Sequence, residues 1–165
     1  MTEPSATFLL FGATGDLAHR MIFPSLYNLL ADGLLPDDFL IIASGRSEFT
    51  DEQFRADIDA ALRKFLAADR YDAEIAERLR GMIVYQSVEA GNAGQFKALG
   101  ERLDGRLDKG VSVYLSTPPS LFAPTAQGLA EAGLITPRTR IAMEKPIGKD
   151  LASSKEVNDG IGALF

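Results

Sequence analysis

The chain has no cysteine and only one histidine in 165 residues. Without cysteine it forms no disulfide, has no thiolate nucleophile and offers no sulfur ligand to zinc. A single imidazole leaves few nitrogen ligands for any other metal. The composition therefore argues against thiol and metal chemistry, and we predict no metal site.

Basic residues and long apolar runs are also scarce. Lysine and arginine number 17 against 23 aspartate and glutamate residues, which gives a net charge of −6. This balance argues against a nucleic-acid surface but leaves room for a local phosphate pocket. No apolar run approaches the length of a membrane span, and residues 1–6 lack the basic segment of a signal peptide. We expect a cytoplasmic protein with neither nucleic-acid nor membrane partners.

Short apolar runs alternate with longer stretches of helical apolar spacing. This alternation predicts an α/β fold with a doubly wound, mostly parallel sheet and helices on both faces, of the Rossmann type. The length fits one domain over residues 1–165, and the apolar end at Ile161–Phe165 predicts that it is cut from a longer protein. The predicted strands are Thr7–Phe11, Phe39–Ser44, Met82–Ser87, Val111–Ser116 and Arg140–Met143.

Polar residues mark three helix starts. Thr50 and Gln53 have capping-box spacing for a helix that runs toward Phe65. Ser120 is expected to cap a helix that reaches about Ala132, and Asp150 or Ser153 is expected to open the last helix.

A glycine turn follows the first strand, in the run Gly12-Ala13-Thr14-Gly15-Asp16-Leu17-Ala18. Gly12 and Gly15 permit a tight turn, and the helix after it directs unpaired N–H groups and its positive dipole end toward the turn. We predict a phosphate site here. The spacing G-x-x-G-x-x-A departs from the common dinucleotide pattern G-x-G-x-x-G, so an ordinary strand–turn–helix connection stays open at this point.

Ligands of open α/β sheets bind beyond the carboxyl ends of the strands. After the second strand stands Arg46, where an NAD-specific domain usually has an acid for the ribose 2′-hydroxyl; an arginine favours the 2′-phosphate of NADP. The alternative is a solvated surface charge. After the third strand, Val88 and Glu89 are expected beside the adenine.

A proline pair follows the fourth predicted strand, and an acidic and a basic residue follow the fifth. Thr117 and Pro118 lie in an extended segment that is expected to run along the nicotinamide with Tyr114 nearby; a rigid loop with a core tyrosine is the alternative. Glu144 and Lys145 are adjacent, and because an unpaired buried charge is costly, we expect them to face a polar cleft. Lys145 is the candidate to hold a substrate phosphate or hydroxyl, and an exposed ion pair is the alternative.

Five motifs in order resemble the N-terminal coenzyme domain of the glucose-6-phosphate dehydrogenase family. The resemblance covers nearly the whole chain and implies NADP⁺ as oxidant, D-glucose 6-phosphate as substrate and 6-phosphoglucono-lactone as product, the first step of the oxidative pentose phosphate pathway. It also implies a homo-oligomeric full-length enzyme. The motifs are the run from Gly12 to Ala18, Phe23-Pro24, Gly45-Arg46, the run from Tyr114 to Pro119, and the run from Glu144 to Leu151.

The resemblance assigns roles and also shows departures. It implies that Thr14 and Arg46 hold the 2′-phosphate and that Lys145 contacts both sugar and coenzyme. His19 and Met21 stand where family members usually have lysines. The family's catalytic histidine and its R-I-D-H-Y-L-G-K-E segment are not in this sequence, and we expect His19 to be a phosphate neighbour or a surface residue rather than a base. This chain alone is therefore expected to bind coenzyme without turnover.

Three alternatives to this interpretation remain. Short-chain reductases need a tyrosine with a lysine four residues later, and no tyrosine here has one. Sugar dehydrogenases of the glucose–fructose oxidoreductase type share T-P and E-K-P at the same strand ends but have G-x-G-x-x-G in the first turn. A non-catalytic NADP-binding module is the third, and the apolar C-terminal residues argue against it.

Overall fold

A computed structural model describes residues 3–144 and 148–165. Five parallel strands form one sheet in the order β3-β2-β1-β4-β5. Each lies within one residue of a predicted strand at both ends, and the predicted parallel sheet is confirmed. The strands are β1 (Thr7–Phe11), β2 (Leu40–Gly45), β3 (Ile83–Ser87), β4 (Val111–Leu115) and β5 (Thr139–Met143).

Helices connect the strands. A π-helical turn, Ala18–Ile22, leads directly into the first α-helix. None of the helices in the described ranges has the length and apolar character needed to cross a membrane. The α-helices are α1 (Phe23–Ala31), α2 (Asp51–Phe65), α3 (Ala73–Gly81), α4 (Ala93–Arg102), α5 (Phe122–Glu131) and α6 (Leu151–Gly162).

Two of the three predicted helix starts are correct. Thr50 and Gln53 exchange hydrogen bonds of 3.1 and 2.9 Å in a full capping box, and Asp150 caps α6 in the same way with Ser153. The prediction for Ser120 is wrong, because the preceding prolines set a short 3₁₀ turn, Pro119–Leu121, that contains it. Helix α5 then begins at Phe122 without a side-chain cap.

The sheet is buried between two helical layers. Leu10 packs in a cluster with residues of α1, α2 and α3, including Tyr27, Phe54 and Leu79. Its neighbour Leu9 points to the other face, into a second cluster with residues of α4, α5 and α6. Because consecutive β1 residues enter opposite cores, the sheet is covered on both faces, and the doubly wound fold is confirmed.

Candidate functional site

A cleft of about 490 Å³ opens beyond the carboxyl ends of β1, β2, β3 and β4. Strand β1 is central here, because β2 and β3 lie on one side of it and β4 and β5 on the other. The crevice beside the strand at which the order reverses is where open α/β sheets bind ligands. A second cavity, of about 540 Å³, lies between α4 and α5 and has no residue of the glycine turn in its wall.

The glycine turn forms the floor of this cleft. Gly12 has a φ of 80°, and a Cβ added to it would lie 2.0 Å from the carbonyl oxygen of Ser116. Both facts require glycine there, since other residues rarely adopt that backbone angle and any side chain would overlap the end of β4. The Ala13 N–H donates to the Ser44 carbonyl at 3.0 Å, and the Gly15 N–H donates to the Gly12 carbonyl at 3.1 Å. The turn is therefore fixed against β2 and β4 and is not an ordinary surface connection.

Hydrogen-bond donors at the glycine turn suit an anionic ligand. Within the described ranges no acceptor takes the amide hydrogen of Thr14. The helical residues that follow present their first amides at the positive end of the helix. The hydroxyl oxygen of Thr117, across the cleft, is buried and has no hydrogen-bond partner among the described residues. Buried polar atoms are usually paired, so this oxygen is available to a bound polar ligand.

Arg46 lies at the rim, directly after β2. Its side chain is exposed, and no acid in the described part of the chain forms an ion pair with it. A Cβ added at Gly45 would come 3.4 Å from Thr14 Oγ1, so the Thr14 side chain packs over the end of β2, one residue before Arg46. These two residues, far apart in sequence, meet at one end of the cleft.

The backbone around Arg46 is held by side chains of β3. The Tyr85 hydroxyl donates to the Ser47 carbonyl at 2.6 Å, and the Ser87 hydroxyl donates to the Arg46 carbonyl at 3.1 Å. Burial raises the pKa of Tyr85 to about 12, so its hydroxyl keeps the proton that it donates. The loop that carries the guanidinium is thus anchored at Arg46 and at the residue after it.

Some of the predicted coenzyme-binding residues line the cleft, and others do not. Gly12, Thr14, Gly15, Arg46, Val88, Glu89, Thr117 and Pro118 all line the cleft. Ala13 is fully buried behind the turn, Asp16 points outward to Arg20 at 3.6 Å, and Leu17 is outside the cleft wall. Lys145 lies outside the described residues. Its neighbour Glu144 accepts a hydrogen bond from the Tyr114 hydroxyl.

Sequence reasoning missed part of the wall. Ala90, Leu121 and Thr125 line the cleft, and so does Ser120, which was expected only as a helix cap. The signal for these residues was weak, because they come from a turn after a strand end and from the start of α5 rather than from a motif.

His19 lies beside the turn and not in the cleft wall. Its Nδ1 is 2.8 Å from the Gly15 carbonyl oxygen, and its Nε2 is 2.6 Å from Oδ2 of Asp57 on α2. The side chain is 18% exposed. Both ring nitrogens are occupied by these contacts, which leaves neither positioned to take a proton from a ligand in the cleft.

Comparison with known proteins identifies the family. The profile of the family described as glucose-6-phosphate dehydrogenase, NAD binding domain, matches residues 9–165. The glucose-6-phosphate 1-dehydrogenase of Zymomonas mobilis is 44% identical over 165 residues, which are all of this chain and 34% of that protein. The enzyme of the same name from Gluconobacter oxydans is 37% identical over 96% of this chain and 33% of its own length.

Solved structures agree with this family assignment. A crystal structure of glucose-6-phosphate 1-dehydrogenase from Mycobacterium avium superimposes with a TM-score of 0.90 at 34% identity, covering 99% of this chain and 34% of that one. A structure of glucose-6-phosphate dehydrogenase in complex with its substrate glucose-6-phosphate gives a TM-score of 0.82 at 25% identity, over 98% of this chain and 34% of that one.

These matches decide among the alternatives raised by the sequence. They confirm the resemblance and the expected nicotinamide coenzyme, and they exclude the glucose–fructose oxidoreductase type. The chain spans about a third of the length of these relatives. It belongs to the glucose-6-phosphate dehydrogenase family and corresponds to the NAD(P)-binding domain of that family.

Proposed function

We propose that this chain is the coenzyme half of an enzyme that oxidises D-glucose 6-phosphate to 6-phosphoglucono-lactone with NADP⁺. The observation that carries the proposal is the glycine turn, in which the Gly12 backbone lies against Ser116 and no acceptor among the described residues takes the Thr14 amide hydrogen. Relatives that bear the name of this activity support it over the full chain.

NADP⁺ is proposed over NAD⁺ because of Arg46. An acid at the end of the second strand would accept hydrogen bonds from a ribose 2′-hydroxyl and repel a 2′-phosphate. The exposed Arg46 guanidinium beside Thr14 favours the 2′-phosphate instead. Its planar group donates paired hydrogen bonds that match phosphate oxygens. The anchoring of its loop by Tyr85 and Ser87 reduces the ordering cost of that contact.

The remaining assignments follow from position along the cleft. We assign the amides of Thr14, Asp16 and Leu17 to the pyrophosphate, Val88 and Glu89 to the adenine side, and Thr117 and Pro118 to the nicotinamide side. Bound NADP⁺ would supply the hydride acceptor. Lys145 follows Glu144 at the end of β5, and we assign it to the substrate and the coenzyme.

The chain alone is proposed to bind coenzyme without oxidising sugar. Removal of a hydroxyl proton needs a base within hydrogen-bond reach, and the one histidine in the sequence is held by Gly15 and Asp57. The base is therefore assigned to another part of the enzyme. A cytoplasmic location and a homo-oligomeric state stay predictions, the first from the sequence and the second from the family resemblance.

Calorimetric titration of the complete protein with NADP⁺ and NAD⁺ tests this proposal. We expect tighter binding of NADP⁺, and R46A should lose about 1.5–3 kcal/mol of NADP⁺ binding, the range for hydrogen bonds to charged groups, with little change for NAD⁺. The matched control is R78A, which removes an exposed arginine of α3 away from the cleft. Equal affinities for the two coenzymes, unchanged in R46A, would contradict the assignment.

A further inference from the structure

His19 joins the glycine turn to helix α2 through two short contacts. Nδ1 lies 2.8 Å from the Gly15 carbonyl oxygen and Nε2 lies 2.6 Å from a carboxylate oxygen of Asp57. A carbonyl oxygen and an ionised carboxylate only accept hydrogen bonds. The ring therefore lies between two acceptors, one on the turn and one on α2.

We propose that His19 is a positioning residue, which fixes the Gly15–Asp16 peptide and thereby raises the affinity for NADP⁺. The inference deepens the function proposed above and rests on it for the identity of the ligand. Neither the cleft wall nor the coenzyme-contact residues include His19, so its effect is exerted through the turn.

The geometry explains how the ring acts on the turn. The Gly15 carbonyl accepts from the His19 side chain at 2.8 Å and from the His19 backbone N–H at 3.3 Å. In a planar trans peptide the C=O and the next N–H point in opposite directions. Fixing the Gly15 carbonyl along the helix therefore aims the Asp16 N–H back toward the turn, where we place the pyrophosphate.

The charged groups around His19 leave Asp57 as its ionic partner. On the same segment Asp16 and Arg20 pair with each other at 3.6 Å, and the Arg20 guanidinium lies 5.4 Å from the ring centre of Phe65 on α2. Helix α1 contains no charged residue. On α2, the positions one turn from Asp57 are uncharged, namely Gln53, Phe54, Ala60 and Ala61.

The experiment measures the NADP⁺ affinity of the complete protein for wild type, H19A and H19K. We expect H19A to bind about tenfold more weakly than wild type, the order expected when a hydrogen bond to a charged group is lost. H19K restores a donor on the same segment and should recover most of the wild-type affinity.

Wild-type affinity in H19A would overturn the proposal, and so would an H19K variant that binds no better than H19A. D57A removes the acceptor on α2 and should weaken NADP⁺ binding in the same direction. It serves as the second variant if H19A does not fold, and wild-type affinity in D57A would also overturn the proposal.

Hydrogen exchange in the coenzyme-free protein separates this inference from the proposed function. The peptide that covers residues 12–20 should be more protected in wild type than in H19A. If wild type binds neither coenzyme, the proposed function fails, while the exchange data still decide whether His19 holds the turn. Equal protection in wild type and H19A would refute the positioning role.

Discussion

The β1–β2 half of the cleft and its β4–β5 half are held in different ways. Strand β1 is buried except at Phe8, and its turn is fixed by backbone contacts to Ser44 and Ser116. Every residue of β5 is partly or fully exposed, and the side-chain contact described at its end is that of Tyr114 with Glu144. The first half is rigid within this chain, so we expect it to determine coenzyme affinity, while the second half determines turnover.

The largest effect is expected from G12A, in the rigid half. A Cβ would overlap the Ser116 carbonyl at 2.0 Å, and the backbone has a φ of 80°. Strain and overlap together should lower the free energy of unfolding by about 2–5 kcal/mol. The control is G33A, which has a φ of 71° but no atom within 4 Å of the added Cβ and should lose only about 1–2 kcal/mol. If urea unfolding shows equal losses of unfolding free energy in G12A and G33A, the close approach to Ser116 does not constrain the turn.

The next effect is expected from K145A, in the exposed half. Loss of the ammonium should lower kcat of the complete enzyme about 100-fold or more, because the sugar is no longer positioned against the coenzyme. Tm should change little, and NADP⁺ affinity should fall much less than turnover. Arginine should not rescue activity, since a planar fork replaces a compact charge. K149A, which removes an exposed lysine four residues later, is the control, and near-normal turnover by K145A would make the Glu144–Lys145 pair an exposed ion pair.

The smallest effect comes from a matched pair of tyrosines, one in each half. Y85F removes the hydrogen bond to the Ser47 carbonyl and should weaken NADP⁺ binding about fivefold at unchanged kcat. Y114F removes the hydrogen bond to Glu144 and should lower kcat about fivefold at unchanged NADP⁺ affinity. Steady-state kinetics of both variants measures kcat, and calorimetric titration measures NADP⁺ affinity. If both variants change the same parameter, the division between the two halves is wrong.

Local rules made most of the fold predictable. Alternation of β-rich and helical patterns locates all five strands, and the Thr50 capping box is visible in the residues themselves. Ser120 was misjudged because Pro118 and Pro119 impose a turn that overrides its capping preference. The π-helical turn at Ala18–Ile22 has no sequence pattern that distinguishes it from an ordinary helix start.

The site was predictable only where a strand end and a motif coincide. Gly12, Arg46 and Thr117 follow three different strands, and the rule for open sheets brings them to one cleft. The contact of His19 with Asp57 joins residues 38 apart in sequence, and no local pattern indicates it. The anchoring of Arg46 by Tyr85 is non-local for the same reason.

The most direct test of the account titrates the 165-residue chain with NADP⁺ and then adds D-glucose 6-phosphate while absorbance is followed at the NADPH band. The account predicts saturable binding of NADP⁺ followed by a flat absorbance trace, because this chain provides the coenzyme turn but no base for the sugar hydroxyl. A sustained rise in absorbance that disappears when His19 or Lys145 is replaced would contradict it, since the catalytic groups would then all lie within these residues.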